Sequence, residues 1–299
     1  MRTFKAPAEL VLVLVTIIAA SGWILSKEAM VGMPPLYFLG TRFLLAGVVL
    51  LIFCYQQWHL LTEFKVALKV IALGLLMTLA LLSWVLGLNQ IEHLGEGAFI
   101  NSLGIIFIPV IGRVLFAEKV SLAHWLSLPI AVAGLVFLSL ESSFTLQSGQ
   151  LYFFVSSILF ALHFTLVSRL AAKVPASLIA GAQLTIVGII GLILSALTEQ
   201  WPLQLSGAVI GWFLASALIA TSLRFSLQTY AQGLAPASHV ALIMILEPVW
   251  AAIFASYWFA ESMSLAQFFG CFLIFLAMII SRWQWCRKII SAMRANKAV

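Results

Sequence analysis

Phe116-Ala117-Glu118-Lys119-Val120-Ser121-Leu122-Ala123 recurs 143 residues downstream as Phe259-Ala260-Glu261-Ser262-Met263-Ser264-Leu265-Ala266, with six of the eight positions identical. A long apolar run precedes and follows each copy. Self-similarity at a fixed distance is the sequence mark of an internal duplication. If an odd number of membrane spans separates the copies, they lie on opposite sides of the bilayer.

Composition makes the spans unavoidable. Of 299 residues, 63% are hydrophobic and 9% charged, against about 25% charged in a soluble domain. The apolar runs reach the roughly 20 residues that cross a bilayer as helix, and the alternating pattern of a membrane β-barrel is absent. The fold class expected is an all-α integral membrane protein. There is no Asp, and Cys54, Cys271 and Cys286 lack the close spacings of zinc or redox motifs, so no cofactor or metal is expected. The net charge of +6 reports where basic residues sit around the membrane, not affinity for nucleic acid. Met1-Arg2-Thr3-Phe4-Lys5 before an apolar run imitates a signal peptide. The run from Leu10 to Leu25 is long for that role and further spans follow, so it is expected to stay as the first span.

Ten apolar segments can be marked, at about 8–28, 35–56, 66–88, 95–115, 122–140, 149–170, 176–197, 207–231, 236–258 and 264–283, each good to a few residues. Pro34-Pro35 separates the first two, because proline cannot continue a helix and restricts the residue before it. Pro175 and Pro236 open segments 7 and 9, proline being favoured at a helix's first position. Short breaks predict that consecutive helices are antiparallel neighbours. Thirteen of the sixteen Lys and Arg residues fall inside or at the inner boundary if the N-terminus is cytoplasmic, which predicts N-in and C-in. Five segments then form a first repeat, 1–142, and five a second, 149–285, before a basic cytoplasmic tail, 286–299, expected to lie on the anionic inner leaflet. Five is odd, so the halves are inverted repeats, a recurring plan of secondary transporters. Pro34, Arg42 and Gly47 also correspond to Pro175, Gln183 and Gly188 at an offset of 141.

The ends of both halves resemble a known family. Pro109 through Phe116-Ala117-Glu118, and Leu246-Glu247-Pro248-Val249-Trp250-Ala251-Ala252 through Phe259-Ala260-Glu261, are similar to the EamA-type branch of the drug/metabolite transporter superfamily, over about residues 8–285. The resemblance implies two five-helix repeats, export or exchange of amino acids, other small metabolites or toxic compounds, and a cavity lined mainly by spans 1–4 and 6–9. The first half departs from it: Gly104-Ile105 stand at the place of Glu247-Pro248, and its proline, Pro109, comes a turn later.

Ionisable groups within spans cost several kcal/mol unless paired or wetted, so each is a site candidate. Arg224 and Glu247 differ in depth by about 6 Å at 1.5 Å per residue, within reach of an arginine side chain. They are expected either to form a structural ion pair or to meet a substrate carboxylate and amine. Arg42 lies towards the outside, as an interfacial anchor or as part of an external gate with Glu28, Glu92 or Glu96. Thr221, Arg224 and Gln228 share a helical face, as do His239 and Glu247. Asn101, Gln183 and His163 are further polar candidates, either cavity ligands or interhelical hydrogen bonds. Trp23, Trp84, Phe99, Phe164 and Trp250 offer an aromatic wall or ordinary packing. Pro109 and Pro248 break backbone bonding at mid-depth, as hinges or static kinks. Glu118 and Glu261 precede Ser121 and Ser264, which suit the N-caps of spans 5 and 10. Trp58, Trp201, Trp283 and Trp285 read as interface anchors.

The function expected is transport, by export, of small organic metabolites, amino acids first, from a monomer in the bacterial inner membrane. Proton-coupled efflux of a lipophilic cation is the alternative. An enzyme is not expected: no His-Glu-x-x-His or Gly-x-Ser-x-Gly run occurs.

Overall fold

The computed structural model describes residues 6–88, 90, 100–139, 148–258 and 264–281. Among them every regular element is helical: α1 (Ala6–Met30), α2 (Pro35–Phe53), a 3-10 segment (Tyr55–Thr62), α3 (Phe64–Leu88), α4 (Gly104–Phe116), α5 (Leu122–Ser139), α6 (Ser148–Leu170), α7 (Ala176–Thr198), α8 (Gly207–Ala217), a π-helical turn (Leu218–Leu223), α9 (Arg224–Leu234), α10 (Ala237–Met244), α11 (Leu246–Trp258) and α12 (Leu265–Ser281). Six described stretches are long and apolar enough to cross a membrane, one of them the continuous Gly207–Leu234, and shorter apolar helices cover Ile100–Phe116, Leu122–Phe137, Ala237–Ala251 and Leu265–Ala277. Leu79, Ile193 and Phe272 are among the large apolar side chains left exposed, which lipid would cover favourably. The chain is a multi-pass membrane protein.

Local chemistry sets the helix ends. Pro34 and Pro175 precede the first residues of α2 and α7. The free N–H groups of Leu36 and Tyr37 donate to the Glu199 carboxylate at 2.8 and 2.7 Å, which also accepts from Ser195 Oγ. An anion thus sits on the positive end of the α2 dipole. Nothing in the local sequence announced this cap, because its residues are 163 apart. Ser121 Oγ accepts from His124 N, while Ser264 and Gln267 exchange side-chain bonds to each other's backbone N–H groups, a capping box. Both serines are the N-caps that the repeated stretch predicted.

The packing corrects the expectation of neighbouring consecutive helices. The most extensive contacts cross between the halves: α2 with α7, α5 with α12, and α3 with α6, while α1 runs against α8, α9 and α11 and has little contact with α2. Small residues explain the choice. A Cβ on Gly40 would come within 2.6 Å of the Leu192 backbone nitrogen, and one on Gly47 or Gly188 would overlap Thr185 or the Leu44 backbone. Without those side chains the two backbones approach closely, the usual basis of helix association in lipid. The contacts also exchange under the 141-residue offset. Gly47 faces Thr185 while Gly188 faces Leu44, and Gly40 faces Gly191 while Gly181 faces Leu50. The α2 numbers rise as the α7 numbers fall, so the helices are antiparallel and related by a local two-fold. Likewise Gly134 of α5 faces Gly270 and Ile274 of α12.

Candidate functional site

Four of the candidates come together where α1, α3, α9 and α11 meet. Arg224 Nη2 donates to Glu247 Oε2 at 3.1 Å, with about a fifth of each side chain exposed. Trp23 Nε1 donates to the other carboxylate oxygen, Oε1, at 3.3 Å. The half-exposed Trp23 ring meets Trp84 edge-on at 6.0 Å between centroids, and Trp84 meets Phe153 at 6.4 Å. The result is a carboxylate held between a cation and an indole, beside an aromatic wall.

Backbone breaks place these groups. Pro248 has no N–H to return to the Met244 carbonyl, and the helix is interrupted at Ile245, between α10 and α11. Glu247 therefore lies in the first turn of a new helix, where the free N–H groups favour an anion. Arg224 follows directly on the π turn. There Thr221 Oγ1 donates to the Ser216 carbonyl at 2.9 Å, a π-type distortion of the kind often found at functional sites.

Arg42 is held by the same turn. Its Nε donates to Thr221 Oγ1 and its Nη1 to Ser26 Oγ at 2.7 Å. The Phe38 and Phe43 ring centroids lie 5.5 and 5.7 Å from its guanidinium carbon. Glu28, one of the three acidic residues expected near Arg42, accepts instead from Trp258 Nε1. Glu92, Glu96, Phe99, Glu261, Trp283 and Trp285 lie outside the described residues. His239 lies in α10 and Glu247 in α11, on either side of Ile245. His239 stacks on His124 with ring centroids 6.1 Å apart.

The remaining candidates lie in other surroundings. His163 Nε2 lies 2.6 Å from Gln183 Oε1. Asn101 Oδ1, Gln183 Nε2, Arg224 Nε, Gln228 Oε1 and Trp250 Nε1 are buried atoms with no partner among the described residues. Trp250 and Phe164 pack against a core cluster that includes residues of α4, α5 and α10. Pro109 is buried within α4. Trp58 donates to the Leu51 carbonyl and Trp201 to Ser195. Glu118 pairs with Arg169 at 2.8 Å, a bond that the repeat did not reveal. Among the described residues no group of three His, Cys, Asp or Glu side chains is placed to hold a metal.

The sequence pattern of the EamA-like transporter family matches residues 6–140 and again residues 147–283. The chain belongs to the EamA-like transporter family. It is 27% identical over 273 residues to a protein named an uncharacterized transporter from Archaeoglobus fulgidus, covering 91% of this chain and 85% of that one. A solved crystal structure superposes with a TM-score of 0.77 at 17% identity, covering 95% of this chain and 99% of the other, which supports the fold alone. This EamA-like transporter is asymmetric at its centre. Gly104, at the place of Glu247, is buried, and a Cβ there would sit 3.0 Å from the Ser157 carbonyl oxygen. Backbone closes against backbone in one half where the other carries a carboxylate.

Proposed function

We propose that this transporter exports amino acids across the bacterial inner membrane, through a cavity that opens alternately to either side. Ten spans in two inverted five-helix repeats, 1–142 and 149–285, with both termini and the basic 286–299 tail in the cytoplasm, provide two halves that rock about the centre. A monomer suffices, since the halves enclose a path by themselves. The observation that carries the reading is the cluster of Arg224, Glu247 and Trp23 beside Trp84: opposite charges suit a zwitterion, and the indoles suit an apolar side chain. Pro248, with Pro109 in the other half, serves as hinge. Uptake of radiolabelled amino acids into proteoliposomes tests this, and absence of transport for every amino acid removes it.

A second reading is proton-coupled efflux of a lipophilic cation. It is favoured by the half-exposed Trp23 ring in contact with the Glu247 carboxylate, since indole faces and an anion attract an organic cation. Glu247 would then exchange a proton for the drug.

A further inference from the structure

Arg224 and Glu247 neutralise one another. Arg42 has no such partner: among the described residues no carboxylate lies within ion-pair distance of it. Its ligands are two hydroxyls and two phenyl faces, which solvate a cation without cancelling its charge. Arg42 bonds Thr221, three residues before Arg224 in the chain. The described cluster of two cations and one anion therefore carries one uncompensated positive charge inside the membrane, where such a charge is costly.

The local two-fold shows how this position differs from its counterpart. At an offset of 141, Gln183 stands for Arg42 and His163 stands for Gly22. In the second half the imidazole fills the space and bonds the short amide at 2.6 Å. In the first half Gly22 packs on Ala220, whose Cβ would be 2.8 Å from a Cβ added there, and Arg42 keeps Nη2 as the guanidinium nitrogen that neither Thr221 nor Ser26 uses. One half holds an imidazole bonded to an amide, and the other a cation with a donor to spare.

We propose that Arg42, through the guanidinium nitrogen that Thr221 and Ser26 leave over, is the subsite for the anionic group of the cargo, a carboxylate. Arg224 then orients Glu247 and leaves the carboxylate of the cargo to Arg42. The inference rests on reading the cluster as the transport site, and it narrows the cargo to molecules that bring a carboxylate. A planar guanidinium suits that group, because it presents parallel N–H donors to two oxygens.

Thermal-shift titration of the purified full chain tests it with matched probes. Phenylalanine, 3-phenylpropionate and phenethylamine share a side chain and differ in head group, and leucine, 4-methylpentanoate and isopentylamine form an aliphatic set. The carboxylate-bearing probes should stabilise the wild type. Arg42→Gln should need roughly 10- to 100-fold more of them, the loss of one charge-assisted contact, whereas Arg42→Lys, which keeps the charge and guards against a folding artefact, should lose only a few-fold. Binding of 3-phenylpropionate but not phenylalanine, lost in Arg42→Gln, supports the subsite and removes the amino-acid reading. Amino acids bound equally by wild type and Arg42→Gln overturn the subsite and leave the amino-acid reading standing. Binding of the amines alone overturns the subsite and favours cation efflux. A wild type that responds to no carboxylate at millimolar concentration also overturns it.

Discussion

Both carboxylate oxygens of Glu247 are engaged, one by Arg224 and one by Trp23, so each substitution here has a distinct expected outcome. Arg224→Met leaves a partly buried carboxylate with one indole partner. It should destabilise the protein by about 1–3 kcal/mol, discounted from the cost of breaking a fully buried pair because a fifth of each side chain is exposed. Adding Glu247→Leu should restore most of that loss in thermal unfolding while leaving transport abolished. Trp23→Phe keeps an aromatic ring, though a smaller one, and removes the donor, and should weaken substrate binding several-fold with a stability change of about 1 kcal/mol. The Arg224–Glu247 pair was legible in the sequence because helical rise converts residue numbers into depth. Its third member was not, since Trp23 lies 224 residues from Glu247. Nor were the hydroxyl ligands of Arg42, because charge alone pointed to the acidic external turns.

Close approach of α2 and α7 depends on glycines rather than on bulky apolar residues. Gly188→Val should therefore destabilise by about 1–3 kcal/mol or more, an overpacking effect visible in thermal unfolding in detergent. Gly211→Val is the control, since nothing lies within 4 Å of a Cβ added there, and it should be nearly silent. Glu199→Gln removes the anion from the start of α2 and should cost about 0.3–1 kcal/mol. The helix starts were legible because proline fixes its own backbone, as at Pro34, Pro175 and Pro236. The Gly47–Gly188 echo was visible as well, but not that these helices meet, because short turns favour consecutive neighbours. The π turn was hidden for a different reason: one extra residue in a helical ladder leaves no compositional trace.

At the scale of the molecule, the repeated Phe-Ala-Glu stretch links the halves. Ala117 takes the left-handed conformation at φ 52° that ends α4, and Glu118 reaches Arg169 at the end of α6. The Arg169 guanidinium stands 3.7 Å over the Phe116 ring. With Arg169 42% exposed and Glu118 22%, the pair contributes at most about 1 kcal/mol to stability. Its position between the halves matters more. Joining the thiols of a Glu118→Cys, Arg169→Cys variant with a cleavable bifunctional reagent should stop transport, and cleaving the linker should restore it. Undiminished transport by the cross-linked protein would mean that the halves do not separate at this end. The most direct test of the transport site is substrate counterflow in proteoliposomes, comparing wild type with a well-folded Glu247→Gln protein. The account predicts saturable counterflow of an amino acid or a lipophilic cation by the wild type and its loss in the variant. Equal counterflow by both proteins would contradict it.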